Sequence, residues 1–258
     1  MKTYIGVFDS GLGGLTCVRE LIAKMPYENV VFLADNKNVP YGNKTVEQIR
    51  VMSLNNTYFL NRFDLKALII ACNTSESNAR DVIEENVNVP VYGVIRPAAK
   101  KAVETTRNGK IGLFATTLTV RSGKYEDTVK QFNKDVEVYS MECPKFVPLI
   151  EDGKFRLEDK ETVDAVKEYI EPLLQKGIDT LILGCTHYDV LIDILNSYYP
   201  ELNIVSSSRC VIDVALNDLN IKENREPERK YFTTALDERF DKVSKMIIND
   251  IEYEIVDV

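Results

Sequence analysis

Two cysteines carry the most pointed chemistry in this chain. Cys72 closes the apolar run ALIIAC and is followed by Asn73 and Thr74; Cys185 closes LILGC and is followed by Thr186 and His187. Each lies just past an apolar strand and just before a helix start, where unpaired N–H groups and the helix dipole favour a thiolate. The neighbouring amide, hydroxyl and imidazole groups supply hydrogen-bond donors and acceptors. One cysteine alone is ordinarily a small buried hydrophobe, which is how we read Cys17 and Cys210. A matched pair is different. Two thiols flanking one cleft can take a proton from one side of a carbon and return one to the other, inverting a stereocentre without a cofactor. Thiolate is a modest base, so the carbanionic state must be stabilised electrostatically in a dry cleft.

Other residues are poised to help. FDSGLGG (8–14) places Asp9 and Ser10 at a strand end, then Gly11, Gly13 and Gly14 before a helix, a turn suited to a carboxylate. It lacks the third glycine of GxGxxG and has no GK[ST], which excludes the nucleotide loops. At least one of these glycines is expected to need positive φ. PYG (40–42) follows a loop containing Asp35; Pro40 fixes the chain and Gly42 lets a ligand approach the backbone. His187, two residues from Cys185, is a candidate proton partner, and Glu151 closes the apolar stretch FVPLIE. A phosphatase loop would need Arg six residues after Cys72, and position 78 is Asn78.

The elements that hold these residues read as α/β. Candidate strands fall at 4–8, 29–34, 66–71, 90–95, 110–115, 136–140, 179–184, 203–206 and 230–235. Between them, helical patterns fall near 14–25, 45–62, 75–86, 97–107, 119–133, 159–176, 188–198, 208–219 and 237–248. Continuous apolar strands alternating with helices imply parallel sheets covered on both faces, with ligands at the strand carboxyl ends. IGVFDSG (5–11) echoes IGLFATT (111–117), and ALIIACNT (67–74) echoes LILGCTH (181–187), which suggests a duplicated unit.

Composition narrows the class further. The chain has 258 residues, 45% hydrophobic and 28% charged, enough for one or two globular domains that each bury a core. Its formal net charge of −8 argues against a nucleic-acid or anionic-membrane partner, and no apolar run approaches a bilayer span. The start MKTYIGVFDSG is too briefly apolar for a signal peptide. Five widely spaced cysteines without a CxxC pair, and a single histidine, speak against a disulfide framework or a zinc site. We expect a cytoplasmic protein with no metal. The charged runs at 155–161 and 222–230 read as solvated surface.

FDSGLGGLT (8–16), ADNKNVPYGNKT (34–45), ACNTSES (71–77), FVPLIE (146–151) and GCTHY (184–188) together resemble the glutamate racemases, cofactor-independent amino-acid racemases whose family also includes aspartate racemase. The resemblance runs to about residue 215. It implies two similar doubly wound α/β domains, 1–95 plus 207–258 and 96–206, with mostly parallel sheets and the site in the cleft between them. By match to the family's motifs, Cys72 and Cys185 would be the acid/base pair, one for each enantiomer. Asp9 and His187 would assist, with Asp35 and Glu151 in support. Ser10, Tyr41, Gly42, Asn73, Thr74, Thr119 and Thr186 would bind substrate together with Asp9 and His187. The implied reaction interconverts L- and D-glutamate and supplies D-glutamate for peptidoglycan; aspartate is the alternative substrate. A homodimer is expected. The chain departs from the family pattern at Ala115, at GVIRPAA (93–99) with Arg96, and at CNTSES, changes expected to touch the domain junction and not the proton-transfer residues.

Overall fold

The computed structural model describes residues 2–219 and 226–258. Among these, ten strands follow one another: β1 (Tyr4–Asp9), β2 (Val30–Ala34), β3 (Leu65–Ile70), β4 (Val91–Gly93), β5 (Lys110–Ala115), β6 (Glu137–Glu142), β7 (Thr180–Gly184), β8 (Asn203–Ser206), β9 (Arg229–Thr233) and β10 (Glu254–Ile255). They pair in parallel into a six-stranded sheet, β10-β9-β2-β1-β3-β4, and a four-stranded sheet, β6-β5-β7-β8. The doubly wound α/β class read from the sequence is the class observed. Within the larger sheet, β2-β1-β3-β4 repeats the order of β6-β5-β7-β8, and each cysteine of the echoed motif follows the third strand of its set. Those strands lie where the winding reverses direction. At such a point the connections on either side diverge and leave a crevice.

The sheets do not keep separate interiors. One apolar cluster runs from Ile5, Val7 and Phe32 beneath the larger sheet to Ile111, Leu113 and Ile182 beneath the smaller. It passes through Leu15, Val18 and Leu21 of the helix Gly14–Lys24, Ala98 and Ala102 of Ile95–Thr105, and Val211 and Ile212 of Ser207–Asp218. The outer faces are closed by two further clusters, around Phe59 and Phe232 on one sheet and Phe146 and Tyr188 on the other. This shared interior fixes the strand ends of one sheet relative to those of the other.

Several local expectations change. The helix expected near 119–133 is two, Thr117–Arg121 and Lys124–Phe132, because Gly123 between them adopts φ +63°. The one expected near 188–198 begins as a 3-10 turn over Thr186–Leu191 before the α-helix Ile192–Tyr198. A short helix, Phe146–Glu151, forms where the sequence showed only an apolar stretch; six residues including Pro148 carry too little periodicity to announce it. Arg96 donates to Gln131 at 2.9 Å and stacks its guanidinium over Phe132, so it joins the helices Ile95–Thr105 and Lys124–Phe132. The charged run at 222–230 lies in part outside the described residues. Among those described, no helix is long and apolar enough to cross a membrane.

Candidate active site

Parallel register brings the chemistry together. Asp9 pairs with Ala34 in register, Asp35 N–H donates to Asp9 O at 3.0 Å, and Ala71 N–H donates to Phe8 O at 3.0 Å. Asp9, Asp35 and Cys72 therefore leave the larger sheet at one level. In the smaller sheet Ala115 pairs with Gly184, and Cys143 N–H donates to Ala115 O at 3.0 Å. This sets Thr116, Cys143 and Cys185 at the matching edge. A cleft of about 650 Å³, counting space open to solvent at its mouth, takes its walls from both edges. Asp9, Ser10, Tyr41, Gly42, Cys72, Asn73 and Thr74 line it from one side; Cys185, Thr186 and His187 line it from the other.

The glycines of 8–14 act by space, contrary to the expectation of positive φ, which none of the three adopts. A Cβ on Gly13 would stand 2.5 Å from both His187 Nδ1 and Thr186 Oγ1, and one on Gly14 would stand 2.4 Å from Asp9 Cβ. Their bare backbone lets the two strand-end loops touch. Asp9 Oδ1 accepts from Gly11 N–H at 3.0 Å and from Ser10 at 3.2 Å, while Oδ2 accepts from Thr186 Oγ1 at 2.9 Å. Thr16 holds the same loop, donating to Gly13 O at 2.8 Å with Thr186 O at 3.1 Å.

Burial governs the electrostatics. It raises the Asp9 carboxyl above its ordinary range, although His187 and the three hydrogen bonds oppose the rise. Cys72 caps the helix Asn73–Glu84, yet burial, then the charge of Asp9, push its thiol up to about 12 against the opposing Ser75 contacts. The expectation that a helix start would favour the Cys72 thiolate is therefore reversed: burial and Asp9 outweigh the Ser75 contacts at the helix start and favour the protonated thiol. For His187, burial disfavours the charged ring, but Cys185 and Glu151 hold it well above the ordinary imidazole range. Its Nδ1 lies 3.8 Å from Cys185 Sγ, and its Nε2 lies 3.4 Å from Glu151 Oε1, at ion-pair distance without hydrogen-bond alignment.

Three anticipated residues stand behind the walls. Asp35 is wholly buried and accepts from Tyr41 Oη at 2.5 Å, Thr234 at 2.9 Å and Asn38 at 3.0 Å, so it reaches the cleft through Tyr41. Glu151 stands behind His187. Thr119 is buried at 3.3 Å from Thr74 and 3.0 Å from Thr116, and Thr116 and Thr117 line the cleft in its place. The helix begins at residue 117, so these two threonines turn inward with the strand end. Sequence reasoning also passed over Cys143, Pro144, Val147 and Pro148, which line the cleft after β6. Position after a strand in the second repeat was a signal for Cys143 and Pro144, and Val147 and Pro148 lie within the motif FVPLIE. The five cysteines are free thiols, and among the described residues no group of His, Cys, Asp and Glu is arranged to hold a metal.

The cleft is thus lined by two thiols that follow equivalent strands of the two sheets. The Asp/Glu/Hydantoin racemase family model matches residues 15–215. The chain is 41% identical over 256 residues to the glutamate racemase of a Sulfurihydrogenibium species, covering 98% of this chain and 97% of that one. It is 43% identical over 251 residues to that of Persephonella marina, covering 97% and 95%. The crystal structure of a glutamate racemase isoform from Bacillus anthracis superposes with a TM-score of 0.92 at 33% identity, covering 99% and 98%. The chain belongs to this racemase family and is an isomerase of the amino-acid racemase class.

Proposed function

We propose that this chain interconverts L- and D-glutamate by proton transfer at the α-carbon between Cys72 and Cys185. The observation that carries the reading is the shared cleft, with one thiol on each wall and a different proton environment around each. Relatives near full length are glutamate racemases, and a similar structure from Francisella tularensis, with a TM-score of 0.89 at 30% identity, is in complex with D-glutamate. The site residues carried over from the sequence, the units 1–95 plus 207–258 and 96–206, a homodimer, a cytoplasmic location and supply of D-glutamate to peptidoglycan belong to the same proposal.

In this mechanism Cys72 starts as the acid. An imidazolium at 3.8 Å supplies the counter-charge that a thiolate at Cys185 needs to act as base. Cys185 removes the α-proton, the electron pair stays on the carbon as a carbanion, and Cys72 delivers its proton to the opposite face. The reverse direction exchanges the roles. Asp9 is placed to meet the substrate ammonium, and that contact would relieve the negative charge that now raises Cys72. The backbone N–H groups of Ser10, Asn73, Thr74 and Thr186, with the Asn73 amide, are the donors available to the carboxylates, the Ser10 and Thr186 hydroxyls being given to Asp9.

The test is incubation of the pure protein with L-glutamate, and separately with D-glutamate, in D2O. Loss of optical activity with one deuterium at the α-carbon of the inverted product is expected. Absence of exchange on glutamate ends the reading, and exchange on aspartate alone moves it to the alternative acid.

A further inference from the structure

We propose that Tyr125 is a positioning residue that fixes the orientation of the Asn73 amide and so directs one of its N–H groups at the substrate. This rests on reading the cleft as a glutamate racemase site. Tyr125 is the second residue of the helix Lys124–Phe132, belongs to the segment that carries the smaller sheet, and is wholly buried. Its hydroxyl donates to Asn73 Oδ1 at 2.6 Å. It has no other acceptor among the described residues, so the phenolic proton is committed to that oxygen. Burial holds the phenol well above its ordinary range, which keeps the proton in place.

An amide side chain offers one oxygen and one nitrogen that look alike in outline but differ in polarity. With Oδ1 tied to Tyr125, Nδ2 must face the other way. One of its two hydrogens goes to Ser207 Oγ at 3.3 Å. The second has no acceptor among the described residues, and Asn73 lines the cleft beside Cys72. That leaves one N–H of a cleft-lining side chain uncommitted and available to a substrate carboxylate. Without the Tyr125 hydroxyl the amide is held only by Ser207 Oγ, which can accept or donate and so does not oppose a flip that would turn a carbonyl oxygen toward the anion. The ring also reaches the second thiol's strand: a Cβ on Gly184 would lie 3.1 Å from Tyr125 Cε2. One side chain thus supports the residue after Cys72 and packs on the residue before Cys185.

The test is steady-state racemisation of both enantiomers by Tyr125→Phe, which keeps the ring and removes one oxygen. KM for glutamate is expected to rise about tenfold in both directions, with kcat changed less than about threefold. Ser207→Ala, which frees the other end of the amide, is expected to raise KM about threefold and guards against a folding defect in the first variant. In the Asn73→Ala background, Tyr125→Phe should add almost nothing, because the group it orients is gone. An unchanged KM in Tyr125→Phe, or an equal loss with and without Asn73, overturns the inference while the wild type still racemises glutamate. A wild type inactive on glutamate overturns the functional reading itself.

Discussion

The two ends of the cleft are copies in topology and opposites in chemistry. Both present a cysteine after the third strand of a repeated four-strand order. Four residues further on, each carries a buried acid, Glu76 in one and Asp189 in the other. The surroundings then diverge. Cys72 opens a twelve-residue α-helix, has Ser10 Oγ at 3.8 Å and feels the charge of Asp9. Cys185 opens a six-residue 3-10 turn and has His187 at the same distance. Glu76 is satisfied, accepting from Arg80 at 2.8 Å and from Ile95 N–H at 2.7 Å, which ties the Cys72 helix to the helix Ile95–Thr105. Asp189 accepts from Ser206 at 2.8 Å on one oxygen and leaves the other buried without a partner. Repetition of a strand motif therefore places two reactive groups symmetrically without making them equivalent. In the proposed relay one sulfur holds a proton while the other lacks it, and the two exchange those states when the direction reverses.

Replacing either thiol tests the pairing most severely. Cys72→Ala and Cys185→Ala are each expected to lower racemisation by about a thousandfold or more, measured polarimetrically. A variant that kept near-normal inversion would remove its cysteine from the relay. His187→Asn probes the asymmetry. Exchange of the α-hydrogen that Cys185 removes should slow about a hundredfold, and exchange at the Cys72 end less than tenfold. Equal slowing of both would mean that the histidine serves the cleft as a whole.

The two acids separate on stability. Glu76→Ala strands a guanidinium and a backbone N–H and leaves a void, and chemical denaturation is expected to show a loss of about 2–3 kcal/mol. Asp189→Asn is expected to be the mildest change and opposite in sign. Burial holds the Asp189 carboxyl up to about 6, against an ordinary 3.8. The unfolded chain therefore ionises first as pH rises, and the folded state loses stability between about pH 4 and 6 and does not regain it above. That gap corresponds to about 3 kcal/mol at most. The asparagine variant should gain about 1 kcal/mol on the wild type at pH 7 and nothing at pH 4. A loss at both pH values would show that the charge at Asp189 is wanted.

Much of this was legible in order along the chain. Alternation of apolar strands with amphipathic helices determined the α/β class, because a strand buried on both faces leaves no polar alternation to mistake. The placement of Cys72, Cys185 and Asp9 at strand ends followed from the same runs. Position after a strand could not tell wall from support: Thr116 against Thr119, or Tyr41 against Asp35, depends on which way the chain turns over one or two residues. The state of each sulfur was also beyond the reach of spacing. A helix start argues for a thiolate at Cys72, and only the folded protein shows that desolvation and Asp9 overrule it. The glycines at 13 and 14 looked like turn formers and prove to be points of contact with Thr186 and Asp9. Local sequence determined which elements form and which groups stand at their ends. Tertiary structure alone decided which groups meet, how deeply they are buried and which of them keep their protons, because those energies arise between residues far apart in the chain.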